Sequence, residues 1–244
     1  SGAAAGVANL KVRGRCTLNG DVASGQTVWV NGTTAADAVL TAANGLTNRG
    51  TIRLESSDSP VASNLVVTNG TLVNEGTIAA NKGSGGGRSL LTNLENRGLL
   101  DINTQSVLSK SANGVFANSG TIDIVPGDSL TISVGSFTNT EPGRVSGGGE
   151  LILSRLNVSG TGTLAANVES HQTSLSPGLG GAGILRIEGS YLQSPTSELQ
   201  VQLGGLAPGT EHDQLQVTGS VAIDGKLRVS AINGYQPNPC DAFA

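Results

Sequence analysis

Large side chains are scarce in this chain. Its 244 residues include one Trp, two Tyr, three Phe and no Met, and aromatics make up 2%. A globular core would lack its usual large fillers. Charge is scarce too, at 13%, roughly half the usual share near 25%. Disorder driven by charge is therefore not expected. The 14 Lys and Arg are scattered and the formal net charge is −4, so no basic footprint for nucleic acid is visible. No apolar run approaches the ~20 residues of a membrane-spanning helix. The N-terminal run Ser1-Gly2-Ala3-Ala4-Ala5-Gly6 has neither a basic region nor an apolar core, and so does not read as an intact signal peptide. Cys16 and Cys240 form no CxxC pair, and there are two His. No zinc-type cluster, metal or cofactor is expected.

What the chain has is glycine, 36 of 244 residues against an average near 7%, and a repeated phrase. Asn48-Arg49-Gly50-Thr51-Ile52 returns as Asn74-Glu75-Gly76-Thr77-Ile78, Asn96-Arg97-Gly98-Leu99-Leu100 and Asn118-Ser119-Gly120-Thr121-Ile122. The Asn positions are spaced by 26, 22 and 22 residues (48 to 74, 74 to 96, 96 to 118). A period of this size marks units that bury their apolar faces only by stacking on each other. Within one period, Leu65-Val66-Val67, Thr71-Leu72-Val73 and Thr77-Ile78-Ala79 are strand-sized runs punctuated by Asn-Gly turns.

Three short strands in ~22 residues predict an all-β fold, a parallel β-helix or β-solenoid. The usual crossover rule makes it right-handed. A hairpin sandwich would space its turns at ~8–12 residues and needs no turn phrase in register. Stacking predicts columns. Asn48, Asn74, Asn96 and Asn118 would form an amide ladder. Arg49, Glu75, Arg97 and Ser119 would form a surface charge ladder. Gly50, Gly76, Gly98 and Gly120 would supply a positive-φ corner. Ile52, Ile78, Leu100 and Ile122 would point inward. After Ser176-Pro177-Gly178 the rhythm lengthens: Ile187-Glu188-Gly189-Ser190 is echoed by Val217-Thr218-Gly219-Ser220, and Leu199-Gln200-Val201 by Leu227-Arg228-Val229. One continuous domain follows, with ~22-residue coils over 1–175 and ~30-residue coils over 176–244, the latter ending in a Pro-rich cut or cap.

Ser176-Pro177-Gly178, Gly189-Ser190-Tyr191-Leu192-Gln193, Leu203-Gly204-Gly205, Gly209-Thr210, Asp213-Gln214-Leu215-Gln216-Val217-Thr218-Gly219 and Gly225-Lys226-Leu227 carry a resemblance. Over its last 70 or so residues the chain resembles β-helical segments of large secreted surface proteins of bacteria, autotransporter-like and sorting-signal-bearing, with relatives in extracellular eukaryotic proteins. The central Asn-x-Gly-Thr-Ile phrase also recurs in them. Where that pattern has Gly-Asp, this chain has Cys240-Asp241. The resemblance implies a passenger, stalk or matrix role at the cell surface or outside the cell, with no catalytic residues to carry over.

β-Helices also host polysaccharide lyases and glycosidases, so carboxylates need inspection. Asp101 and Asp123 fall in one column of adjacent coils and would suit a retaining pair or a Ca²⁺ site, or stand as two solvated strand residues. Glu211-His212-Asp213 joins His to carboxylates without a nucleophile beside it. Gly83-Ser84-Gly85-Gly86-Gly87-Arg88-Ser89 lacks the Gly-Lys-Ser/Thr ending of a phosphate loop and reads as a flexible connection. Asn31, Asn69 and Asn157 head sequons. Trp29, between Val28 and Val30, reads as half-buried in a strand. Cys16 and Cys240 read as a disulfide of a secreted protein, or as two unrelated thiols or thiols pairing with neighbouring molecules.

These readings converge on a non-enzymatic extracellular or cell-surface β-solenoid, structural or adhesive: a filament, coat or matrix subunit. The expected partners are further copies, end to end or side by side, other surface or matrix proteins, and glycans. Two alternatives stay open, a carbohydrate-binding or polysaccharide-degrading β-helix and a viral or phage fibre segment.

Overall fold

The computed structural model describes residues 6–243; Ser1–Ala5 of the N-terminal run and Ala244 lie outside the described residues. The chain coils as a parallel β-solenoid. One face is a ten-stranded sheet running from Ala8–Val12 to Gln214–Val217. The other two faces share a 14-stranded sheet, because Ser63–Asn74, Arg88–Asn96, Ser106–Asn118, Ser129–Asn139 and Glu150–Gly160 each bend round a corner and serve both. The observed ladders pair parallel strands one coil apart, as the turn spacing requires.

The core is a set of stacked apolar columns. On the first face Val28, Ile52, Ile78, Leu100, Ile122, Val145, Leu164 and Ile187 pair in succession, and all are buried. On the second face the column is Leu40, Leu65, Leu90, Leu108, Ile132 and Leu153. On the third it is Leu72, Leu94, Phe116, Phe137, Val158 and Leu175. Each buried side chain contributes about 1.5–3 kcal/mol. Three inward rows meet in a narrow prism that branched aliphatics fill, which is why the chain manages with so few aromatics.

The repeated glycines have a different role from the expected one. Gly50, Gly76, Gly98 and Gly120 are absent from the residues with positive φ. They are required by coil-on-coil contact: a Cβ on Gly76 would lie 2.2 Å from Gly50 O, on Gly98 2.2 Å from Gly76 O, and on Gly120 2.3 Å from Gly98 O. The left-handed corner lies elsewhere, between the second and third faces, at Gly70, Asn113, Val134, Arg155 and Gln172.

Both sheets run on past residue 176. Leu175 pairs with Val158 behind it and Leu199 ahead of it. Ile187 pairs with Val217 and Leu199 with Leu227, so the lengthened spacing is a longer coil in the same stack. Its extra residues form the loop between Leu203 and Gln214. Asp213 pins that loop, with one carboxylate oxygen accepting from Gly183 N and the other from Gln202 N, each at 2.9 Å.

Candidate functional surfaces

The Asn-x-Gly corner joins the third face to the first. Its Asn side chains turn inward and form a continuous amide chain: Asn48 Nδ2 donates to Asn74 Oδ1 at 2.7 Å, Asn74 to Asn96 at 2.8 Å, Asn96 to Asn118 at 2.7 Å, and Asn118 to Asn139 at 2.8 Å. The second N–H of Asn48, Asn74 and Asn96 reaches the backbone oxygen of Thr77, Leu99 and Thr121 at 2.9–3.0 Å. All five Asn are sealed from solvent. Asn139 is a rung that sequence spacing does not show, because Thr140-Glu141-Pro142 separate it from Gly143. Outside this corner, Asp21, Arg49, Glu75, Arg97 and Glu95 form a chain of exposed ion pairs. Exposed pairs contribute at most about 1 kcal/mol each.

Asp101 and Asp123 are paired across adjacent strands of the first face. Their column neighbours are Ala79 and Ser146, and Ser146 Oγ donates to Asp123 Oδ1 at 2.5 Å. Among the described residues no group of three or more His, Cys, Asp or Glu is placed to hold a metal ion. Glu211, His212 and Asp213 serve the long loop. Glu211 accepts from Ala207 N at 2.9 Å, and His212 Nδ1 lies 3.2 Å from Gly205 O. The His212 ring is buried edge-on to Phe243. Burial raises the Asp213 carboxyl, and the two backbone N–H donors offset part of that rise.

Arg88 is a residue whose role the sequence conceals. Its guanidinium is almost fully buried and bonded on every side: Nε to Asn81 O, Nη1 to Val61 O and Gly87 O, and Nη2 to Lys82 O, Gly85 O and Ser56 Oγ, at 2.7–3.3 Å. Burial lowers its pKa, and the Glu55 charge acts in the opposite direction. The Gly-rich run before it therefore wraps a buried cation and is not a flexible connection. The run of glycines suggests loop chemistry, whereas the informative signal is an Arg in register with Ser63 and Ser106 at inward positions.

Trp29 lies between cations of the neighbouring strands. Lys11 Nζ is 3.8 Å and Arg53 Cζ 4.7 Å from the ring, so the indole is occupied by cation–π contacts. Arg53 also pairs with Glu55. On the second face Glu169 sits 3.1 Å from His171, and Glu150 is raised first by burial and then by the Glu169 charge.

Among the sequons, Asn69 and Asn157 are exposed. Asn31 is corrected: it is completely buried, with its amide donating to Ser57 Oγ at 3.0 Å, so no glycan can be accommodated there in the folded chain. Cys16 and Cys240 are both free thiols, Cys16 in the first coil and Cys240 beyond the last. In that last coil the inward positions are open: Val221, Ile223, Leu227 and Val229 are each more than half exposed, although they continue the columns of Tyr191, Gln193, Leu199 and Val201.

The architecture defines a parallel β-solenoid. Over 75 residues, 30% of this chain, the sequence is 40% identical to the adhesin BmaC autotransporter of Brucella suis biovar 1 (strain 1330). The chain spans 2% of that adhesin's length. No family model matches, and no solved structure matches. The solenoid and this partial likeness are compatible with a surface adhesive or structural role.

Proposed function

We propose that the protein is a non-enzymatic structural or adhesive solenoid, displayed at the cell surface or outside the cell. The observation that carries this reading is the unbroken inner wall, in which the buried Asn row and the apolar columns run from coil to coil. Such a stack resists bending and holds its outer faces at fixed spacing, as a spacer or display scaffold requires. The likeness to an adhesin supports the surface location. Among the described residues the column of Asp101 and Asp123 continues as Ala79 and Ser146, which supports the non-enzymatic reading because catalysis demands a supporting shell.

The partners proposed are further copies, other surface or matrix proteins, and glycans. End-to-end stacking belongs to the proposal because each coil offers its neighbour parallel strands and apolar rows that pair in register. Electron microscopy over a concentration series tests this, with rods that lengthen in multiples of one unit expected. Isolated monomers at high concentration would remove the end-to-end part, and a stable trimer by light scattering would favour a fibre segment. Polysaccharide turnover by the purified chain, lost in Asp101→Asn or Asp123→Asn, would overturn the non-enzymatic reading.

A further inference from the structure

The corner between the second and third faces does not protrude equally in every coil. Val66 pairs with Leu91 and Thr71 with Asn93, so residues 67–70 of one coil lie against Thr92 alone in the next. The coil after that is long again, because Ser109 pairs with Leu91 while Phe116 pairs with Leu94. Two raised corners thus flank a recessed one. A cleft of about 550 Å³ extends along successive coils at this corner, past the second raised corner, and its walls include Leu91, Ser109, Lys110, Ser133, Val134 and Arg155. That volume falls within the range of small-ligand sites.

The chemistry of the walls is one-sided. Lys110 and Arg155 are cations, and no lining residue is acidic. Lys110 Nζ donates to the carbonyl oxygens of Val67 at 2.5 Å and Thr68 at 2.8 Å, which leaves one of its three N–H bonds free. Arg155 is exposed and has no ion pair or hydrogen bond among the described residues. The hydroxyls of Ser109 and Ser133 are likewise unpaired there. Val134 holds φ at 64°, the left-handed region that a β-branched residue rarely enters.

We infer that this cleft binds an acidic carbohydrate. Strand addition is closed to a peptide ligand, because Leu91, Ser109 and Ser133 are already paired to coils on both sides and the Val67 and Thr68 carbonyls accept from Lys110. Recognition must come from side chains. Unpaired hydroxyls suit sugar hydroxyls, the apolar floor suits a ring face, and the Arg155 fork suits a carboxylate or sulfate group. The inference names a ligand class for the adhesive part of the proposed function and rests on that reading.

The test is titration of the ¹⁵N-labelled full chain with oligogalacturonate, a heparin-derived tetrasaccharide and neutral cellotetraose, followed by amide shifts. Saturable binding of one or both acidic sugars is expected, with shifts confined to the segments around Leu91, Ser109, Ser133 and Arg155. Oligogalacturonate offers carboxylates alone and the heparin fragment adds sulfates, so binding of the heparin fragment alone would assign sulfate recognition. Arg155→Gln should weaken binding at least tenfold, while Arg13→Gln, an exposed cation in the first coil, should leave it unchanged. No saturable binding of either acidic sugar, equal binding of cellotetraose, or equal loss in both variants would overturn the inference. Any of these would leave the rod-assembly experiment unaffected, so the two readings fail separately.

Discussion

Asn96 donates its side-chain amide to Oδ1 of Asn118 across 2.7 Å, and neither side chain is in contact with solvent. The amides of Asn74, Asn96 and Asn118 each accept from the coil before and donate to the coil after, so the row polarises along the axis as a chain of hydrogen bonds. Replacing Asn96 by Ala strips a donor from Asn118 and an acceptor from Asn74 and also frees Thr121 O. A buried polar group left unpaired costs about 1–3 kcal/mol. Asn96→Ala should therefore lower stability by about 3 kcal/mol or more, read as a fall in the urea midpoint. Asn48→Ala should cost less, because Asn48 Oδ1 already lacks a partner in the native structure. Equal losses for the two variants would show that the row does not act as a chain.

Gly98 has no room for a methyl group, since a Cβ would sit 2.2 Å from Gly76 O. The obstruction is backbone, which cannot move aside without opening the ladder. Gly98→Ala should destabilise by about 3 kcal/mol, in the range of severe overpacking. Gly87 provides the contrast, with nothing within 4 Å of its Cβ position, and Gly87→Ala should be close to neutral. Melting temperatures of the two variants check the pair.

The inner wall was legible in the sequence because stacking forces periodicity. Ile52, Ile78, Leu100 and Ile122 read correctly as one inward column, and Ile187 and Leu199 pair with Val217 and Leu227 despite the longer coil. The repeated Gly was legible as a position but not as a cause, since the sequence carries no record of which carbonyl approaches it. Arg88 and Asn31 depart from their sequence expectation for a shared reason. Both are polar residues beside Gly, and nothing local reveals that their side chains turn inward where carbonyls and hydroxyls wait. The cleft was invisible because it arises from a difference in corner length between adjacent coils, which only the register discloses.

Arg88 holds residues 82–87 by bonding their carbonyls from within. Arg88→Ala should free that segment and cost about 3–5 kcal/mol, as breaking a buried charged network does. Arg88→Lys should recover little, because an ammonium cannot reproduce the planar fork. Hydrogen exchange of the Lys82–Gly87 amides reports the effect directly, with faster exchange expected in both variants. Unchanged protection in Arg88→Lys would mean that charge alone, and not the fork, orders the segment.

The Glu150 carboxyl is raised by burial and by the neighbouring Glu169 charge. An acid whose folded pKa lies above its unfolded value supports the fold at low pH and loses that contribution as pH rises through the folded value. Ionised Glu150 therefore works against the fold at neutral pH. Glu150→Gln should raise the melting temperature at pH 7 and change little at pH 4. The gain should be about 0.5 kcal/mol or less, because the group is only partly buried and solvent screens it. A loss of stability at pH 7 would contradict the assigned direction.

Val134 turns the corner that Asn113, Arg155 and Gln172 turn in other coils, all at φ between 48° and 64°. Asn tolerates this region, whereas Val has two methyl groups against the backbone. Left-handed conformation costs an ordinary residue about 1–2 kcal/mol, so Val134→Asn should stabilise the protein by about 1 kcal/mol. The corner cannot relax by changing φ, because Gly135 beyond it is packed so closely that a Cβ would lie 1.9 Å from Gly114 O. Relief must therefore come from the side chain. Chemical denaturation of Val134→Asn beside wild type measures it, with a higher midpoint and an unchanged slope expected. A lower midpoint would show that the contacts of the Val134 side chain outweigh the strain of its backbone.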